Sequence, residues 1–228
     1  MGTSMKMMCV AFTGTFLCIV SFSASALAAE SGTVDPVSGK PCYKCHLSKV
    51  TDPFVHSAMA SNECTPCHNA SGGNHQTNTA LYAVKDKSTK LCYECHDNQS
   101  NKKSIHGPIQ EDTCLGCHAP HASNLKFMLG KVTPEICFEC HSPALLLEKE
   151  TQKATGFRDG SSNLHFLHAG KTAIPCITCH DVHASEQTKL IRPKGKNGKE
   201  DVTLTFKEAG KGGTCTTSCH DPLGYERK

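Results

Sequence analysis

Residues 114–121 read CLGCHAPH. Two cysteines stand three apart, a histidine follows the second directly, and another comes three residues later. Alone, the stretch would fit a zinc knuckle or a redox thiol pair. Its recurrence argues otherwise. C-x-x-C-H occurs six times, at Cys42–His46, Cys64–His68, Cys92–His96, Cys114–His118, Cys137–His141 and Cys176–His180. A seventh cluster, CTTSCH at 215–220, carries one extra residue between its cysteines. Apart from Cys9 and Cys18, these clusters use all 16 cysteines of the chain.

C-x-x-C-H is the attachment signature of c-type haem. Two thiols add across the vinyl groups on one edge of the macrocycle, and the adjacent histidine then lies under the iron as proximal ligand. The thioether positions are therefore Cys42, Cys45, Cys64, Cys67, Cys92, Cys95, Cys114, Cys117, Cys137, Cys140, Cys176, Cys179, Cys215 and Cys219. The proximal histidines are His46, His68, His96, His118, His141, His180 and His220. Structural zinc combines C-x-x-C pairs without needing a histidine after each. A disulfide framework is the default for paired cysteines in an exported chain, yet it too does not require those histidines. At CTTSCH the alternative of a disulfide or an unmodified pair stays open.

A six-coordinate iron needs a second axial ligand. Beyond residue 28 the only methionines are Met59 and Met128, too few for seven irons. The chain has 14 histidines, and seven stand outside the motifs: His56, His75, His106, His121, His165, His168 and His183. The equality of the counts makes these the candidate distal ligands, the alternative being one or two surface histidines. An internal repeat supports the count. CYKCH, CYECH and CFECH form a first motif type, and CTPCH, CLGCH and CITCH a second. His56, His106 and His168 each stand eight residues before a second-type motif, in FVHSA, SIHGP and FLHAG. His121 and His183 follow their proximal histidines by three, and His75 lies further on in the first unit. The units read as 42–75, 92–121 and 137–183, the last stretched by an insert at about 142–164, with a single site at 215–220. His165 has no repeat-related place, so it is paired by elimination with His220, and His168 with a haem of its own unit.

The beginning of the chain reads as a secretory signal peptide over 1–28: a short n-region with Lys6, an apolar run Cys9–Ala24, and Ala26-Leu27-Ala28 before the cleavage point. It is too short and weakly flanked for a stable membrane anchor, and no later run is long enough to span a bilayer. Residues 29–228 then form the cytochrome domain. The chain is 38% apolar with no Trp, and signal peptide and cysteines inflate that figure, so an aliphatic core is scarce. A formal net charge of +3 does not point to nucleic acid, because each haem adds two propionates against one ferric charge.

The stretch HGPIQEDTCLGCHAPHASNLKFMLGKVTPEICFECH (106–141) resembles the doubled-CXXCH multihaem c-type cytochromes. Two departures are visible: Asn69-Ala70-Ser71 replaces a nearby histidine after His68, and the last motif is longer. The reading is a heptahaem chain with seven haem c groups, mostly irregular, with short α-helices and a core formed by covalently attached haems. ALLLEKETQKA (144–154) reads as a helix, and KLIRPKGKNGKEDVTLTF (189–206) as a small β-hairpin around Asn197-Gly198. Without its haems the chain is expected to be largely unfolded.

The resemblance implies a periplasmic electron carrier of anaerobic or extracellular respiration, with low potentials and no bond-making step. Its partners would be other redox proteins: a quinol-oxidising membrane complex and periplasmic or outer-membrane cytochromes. The rivals are a subunit of an extracellular haem filament and a multihaem reductase of nitrite, hydroxylamine or tetrathionate. Ammonia-forming nitrite reductases mark their open iron with C-x-x-C-K, which this sequence lacks.

The stoichiometry is directly measurable. Intact mass of the exported protein should correspond to cleavage at Ala28 or Ala29 plus seven thioether-linked haems. Six haems would remove the site at 215–220, and none would refute the reading.

Overall fold

The computed structural model describes residues 41–69 and 73–228. The expected signal peptide lies outside them, and among the described residues no helix is long and apolar enough to cross a membrane.

Regular structure is short because each of the six C-x-x-C-H motifs folds into a single helical turn. The backbone N–H of His46, His68, His96, His118, His141 and His180 donates to the carbonyl of the first cysteine of its motif at 2.9–3.0 Å. One such turn cannot propagate alone, since helix nucleation is unfavourable until several residues add their bonds. The α-helices are Ser57–Ala60 (α1), Thr89–Tyr93 (α2), Gly107–Gln110 (α3), Ala144–Leu147 (α4) and Cys176–Cys179 (α5). A wider, π-type turn covers Phe166–Lys171.

The helix expected over 144–154 stops at Leu147. Glu148 is already extended, with φ −85° and ψ 123°. The Asn163 carboxamide reaches the carbonyls of Ala144, Leu145 and Glu148. Beyond it, Thr151 N–H donates to the Ser161 carbonyl at 2.7 Å. The Leu, Glu and Lys residues favour helix intrinsically, but this weak preference yields to tertiary pairing.

The strands are Phe54–Val55 (β1), Ser104–Ile105 (β2), Ala122–Ser123 (β3), Arg158–Asp159 (β4), Ser162–Asn163 (β5), Ala184–Ser185 (β6), Lys194–Asn197 (β7), Glu200–Ala209 (β8), Gly212–Thr217 (β9) and Leu223–Glu226 (β10). β1 pairs with β3 and β2 with β6, so the same antiparallel link joins successive repeats. β4 and β5 form a hairpin in the insert.

β7 to β10 form a four-stranded antiparallel meander. Its first turn lies at Gly198-Lys199, one residue beyond the expected position, with Asn197 opposite Glu200 and Gly198 at φ +60°. Glycine adopts this left-handed conformation without a Cβ clash. The sheet extends beyond the expected hairpin because a second Gly-Lys turn, Gly210-Lys211, links β8 to β9. Along β8, Val202 and Leu204 are buried while Asp201, Thr203 and Thr205 are exposed, the two-residue period of a strand covered on one face. Among the described residues the buried apolar side chains are only Met59, Ala184, Val202 and Leu204.

α5 rests on β7. Thr178, 2% exposed, donates its hydroxyl to the Lys196 carbonyl at 2.7 Å. A Cβ on Gly195 would lie 2.0 Å from the Thr178 carbonyl oxygen. Gly195→Ala should therefore push α5 off the sheet and destabilise the loaded protein by about 1–3 kcal/mol, the usual cost of overpacking. A lowered thermal unfolding midpoint with unchanged haem content is the expected result. An unchanged midpoint would show that the contact is not needed.

Candidate functional site

Every proximal histidine of the sequence reading faces one histidine from outside the motifs. Ring centroids are 6.1 Å apart for His46 and His75, 6.1 Å for His68 and His121, and 6.0 Å for His96 and His56. They are 6.0 Å apart for His118 and His183, 6.1 Å for His141 and His106, 6.2 Å for His180 and His165, and 6.4 Å for His220 and His168. Two imidazoles bound to opposite sides of one metal ion, each through a metal–nitrogen bond of about 2 Å, have centroids roughly 6 Å apart. The pairing is one to one and leaves no histidine over. With a thiol pair beside each proximal ring, the donor set fits haem c.

The hydrogen bonds fix which ring nitrogen is available. Nδ1 of His68, His118 and His180 lies 2.8, 2.8 and 3.1 Å from the carbonyls of Tyr82, Phe127 and Lys189. Nδ1 of His106, His168 and His220 lies 2.9, 2.7 and 2.6 Å from the carbonyls of Val182, Leu164 and Asp221. A carbonyl only accepts, so each Nδ1 carries the proton and each Nε2 presents its lone pair, the usual outer-shell arrangement of a ligating imidazole. His165 departs by using a hydroxyl, Thr155 Oγ1, at 2.9 Å. Burial first, then the neighbouring His180 and His168, lowers the His165 pKa to about 4, so its ring is neutral at pH 7.

The loops delivering these carbonyls are strained in a repeated way. Phe127 and Met128 have φ +60° and +54°, and Lys189 and Leu190 have +58° and +55°. Such left-handed non-glycine residues cost on the order of 1 kcal/mol each and persist where surrounding contacts over-determine them. Here the Ser123 hydroxyl holds the Leu129 carbonyl and the Ser185 hydroxyl holds the Ile191 carbonyl. Sequence reading missed these acceptors, although HAS at 121–123 and at 183–185 marks both loops.

The pairing follows a rule. His56 and His106 face the first-type motifs downstream, His96 and His141, and His168 likewise faces the next motif downstream, His220. His121 and His183 face the second-type motifs upstream, His68 and His118. Strand pairing enforces the exchange: His56 N–H donates to the His121 carbonyl at 2.8 Å, and His106 N–H to the His183 carbonyl at 2.9 Å. His180 is faced instead by His165, from upstream in its own unit. No histidine precedes His46, and His75 faces it from the irregular segment of the first unit. The expected assignment of His165 to His220, and of His168 to its own unit, is thus reversed. His168 keeps the role of His56 and His106, and the histidine outside the repeat fills the remaining position.

The thiol pairs lie in chain order. The Cys64 pKa is pushed up to about 11 by burial and then by the adjacent Cys42 thiol. Burial likewise raises Cys67, with Cys92 and Cys95 beside it, and Cys92, with Cys114 beside it. Cys117 is raised by burial, then Glu139 and Cys140, and Cys137 by burial, then Cys176 and Cys117. Cys179 reaches about 11 through burial, then Cys215 and Cys219. Each motif therefore neighbours the next without a break. Cys215 lies on β9, and Cys219 and His220 follow in the β9–β10 connection, whereas the other motifs close a helical turn.

Thiol pairs followed by paired imidazoles define a multihaem c-type cytochrome, a protein that binds haem c covalently and transfers electrons. Residues 56–101 and 106–145 match the doubled CXXCH motif family. No curated protein matches the chain. The matched segments are framed differently from units 42–75 and 92–121: each opens on a distal candidate, His56 or His106, and runs past the motif which that histidine faces.

The exchange between repeats can be tested by double substitution. His68→Ala, His121→Ala and the double variant should each perturb the same single haem, counted as high-spin iron in the reduced spectrum, so the effects should not add. Two perturbed haems in the double variant would show that His121 serves another iron.

Proposed function

We propose that the chain is a heptahaem electron carrier, and that His75, His121, His56, His183, His106, His165 and His168 are the distal ligands of the haems anchored at His46, His68, His96, His118, His141, His180 and His220. The one-to-one ring pairing carries this reading. Each bound iron supplies a one-electron ferric/ferrous couple. The chain's part is to hold the imidazoles, keep Nδ1 protonated through backbone acceptors and exclude other ligands. The cysteine neighbourhoods support a path running in chain order, from Cys42 to Cys219. The haems themselves would form the core, which accords with the few buried apolar side chains.

Export rests on the residue pattern of 1–28, which makes the periplasm, or the cell exterior, the place of work. The partners would be redox proteins on either side of that compartment, a quinol-oxidising membrane complex and outer-membrane or periplasmic cytochromes. A reductase needs an iron with an open or displaceable position. Every motif histidine here already faces a second imidazole, so no bond-making step is assigned.

The loaded, reduced protein should show low-spin iron throughout and bind little carbon monoxide at neutral pH. Substantial binding, with turnover of nitrite or hydroxylamine, would replace the carrier with the reductase.

A further inference from the structure

The insert at 142–164 does more than lengthen a repeat, because it carries a buried side chain bonded to the backbone of the segment that bears His165 and His168. Asn163 is 0% exposed. Its Nδ2 lies 2.8 Å from the Glu148 carbonyl, 3.1 Å from that of Leu145 and 3.4 Å from that of Ala144. Its Oδ1 accepts from the backbone N–H of His165 at 3.0 Å and of Phe166 at 3.3 Å. One carboxamide thus caps the end of α4 and the start of the π-type turn together. Only an amide offers both a two-hydrogen donor and an acceptor in so short a side chain.

The turn it starts carries His165 at its N-terminal boundary and His168 within it. Two further contacts set the rings: Thr155 Oγ1 at His165 Nδ1, 2.9 Å, and the Leu164 carbonyl at His168 Nδ1, 2.7 Å. Phe157 packs against both rings, with centroids 5.2 Å from His165 and 5.7 Å from His168. α4 can approach the turn because residue 170 is glycine, where a Cβ would lie 2.2 Å from the Leu146 carbonyl oxygen. In the first two repeats the histidines His56 and His106 are located by strand pairing instead, through N–H bonds to His121 and His183. His168 has no such strand, and Asn163 stands in its place.

We propose that Asn163 is a positioning residue for both His165 and His168, so that the haems anchored at His180 and His220 keep or lose their sixth ligands together. This rests on the bis-histidine reading above. Removing the carboxamide takes that partner from the Leu145 and Glu148 carbonyls and from the two N–H groups, and the turn is then free to rotate both rings off axis.

The test uses full-length, haem-loaded protein. Asn163→Ala should convert about two haems in seven to a high-spin, carbon-monoxide-binding form, and added imidazole should restore the low-spin spectrum. Adding Asn163→Ala to a His165→Ala/His168→Ala variant should open no further haem. If Asn163→Ala yields no loaded protein, Asn163→Ser, which can still accept from the His165 N–H, should show a smaller change at the same two haems. A fully low-spin Asn163→Ala protein, beside a fully low-spin wild type, would overturn this inference alone. High-spin iron spread over all seven haems in the variant would overturn it as well. High-spin iron already present in the wild type would overturn the bis-histidine reading on which it stands.

Discussion

A separation of about 6 Å between imidazole rings, held seven times, organises the molecule. It is too wide for the rings to pack tightly and suits a metal between them. Few of these pairs are local. His118 and His183 lie far apart in the chain, as do His68 and His121, so each pair closes a long loop. Closing long loops costs chain entropy. The two-residue strand pairs and the few buried apolar side chains offset little of that cost, since an isolated short hairpin is marginal in water. Under the proposed ligation, iron–nitrogen bonds supply the remainder, and binding becomes folding.

The exchange of histidines between repeats has a structural cause. A histidine three residues from its own proximal ligand, such as His121 from His118, lies on the same short segment and cannot reach the opposite face of that iron. It can reach the repeat whose strand it pairs with. The β1–β3 and β2–β6 links bring the backbones of His56 and His121, and of His106 and His183, into direct hydrogen bonding. Each repeat thereby places a histidine opposite a motif of its neighbour, and the motifs follow one another along the chain. A path of closely spaced redox centres is what electron transfer requires.

Outside the repeat the same requirement is met by other means. The insert supplies α4, the β4–β5 hairpin and Asn163, and delivers His165 and His168 on one turn. The sheet β7–β10 carries the variant motif. A cysteine on a strand and a second in the following connection do not have the spacing of one helical turn, which gives a physical setting for the extra residue in CTTSCH. Tyr225 on β10 reaches Phe157 at 5.2 Å, so the sheet and the insert also meet through aromatic packing beside His168.

The chemistry was legible in the sequence because it is covalent and local. Thiol spacing, the adjoining histidine and the matching number of spare histidines are set by residues a few positions apart, and they name the attachment sites and candidate ligands without a fold. The Gly198 turn was nearly legible for the same reason, and Gly210-Lys211 carried a similar signal that extends the sheet. Which histidine faces which was not legible, because it depends on strand pairs joining segments far apart in the chain. His165 and His168 show this most plainly. Elimination along the sequence assigned them one way, and the register of the turn capped by Asn163 assigned them the other. The helix expected over 144–154 failed likewise, since intrinsic preference is worth tenths of a kcal/mol per residue while a buried carboxamide taking several carbonyls at once is worth more. Local pattern named the candidate ligands, and only tertiary hydrogen bonding decided which of them face one another.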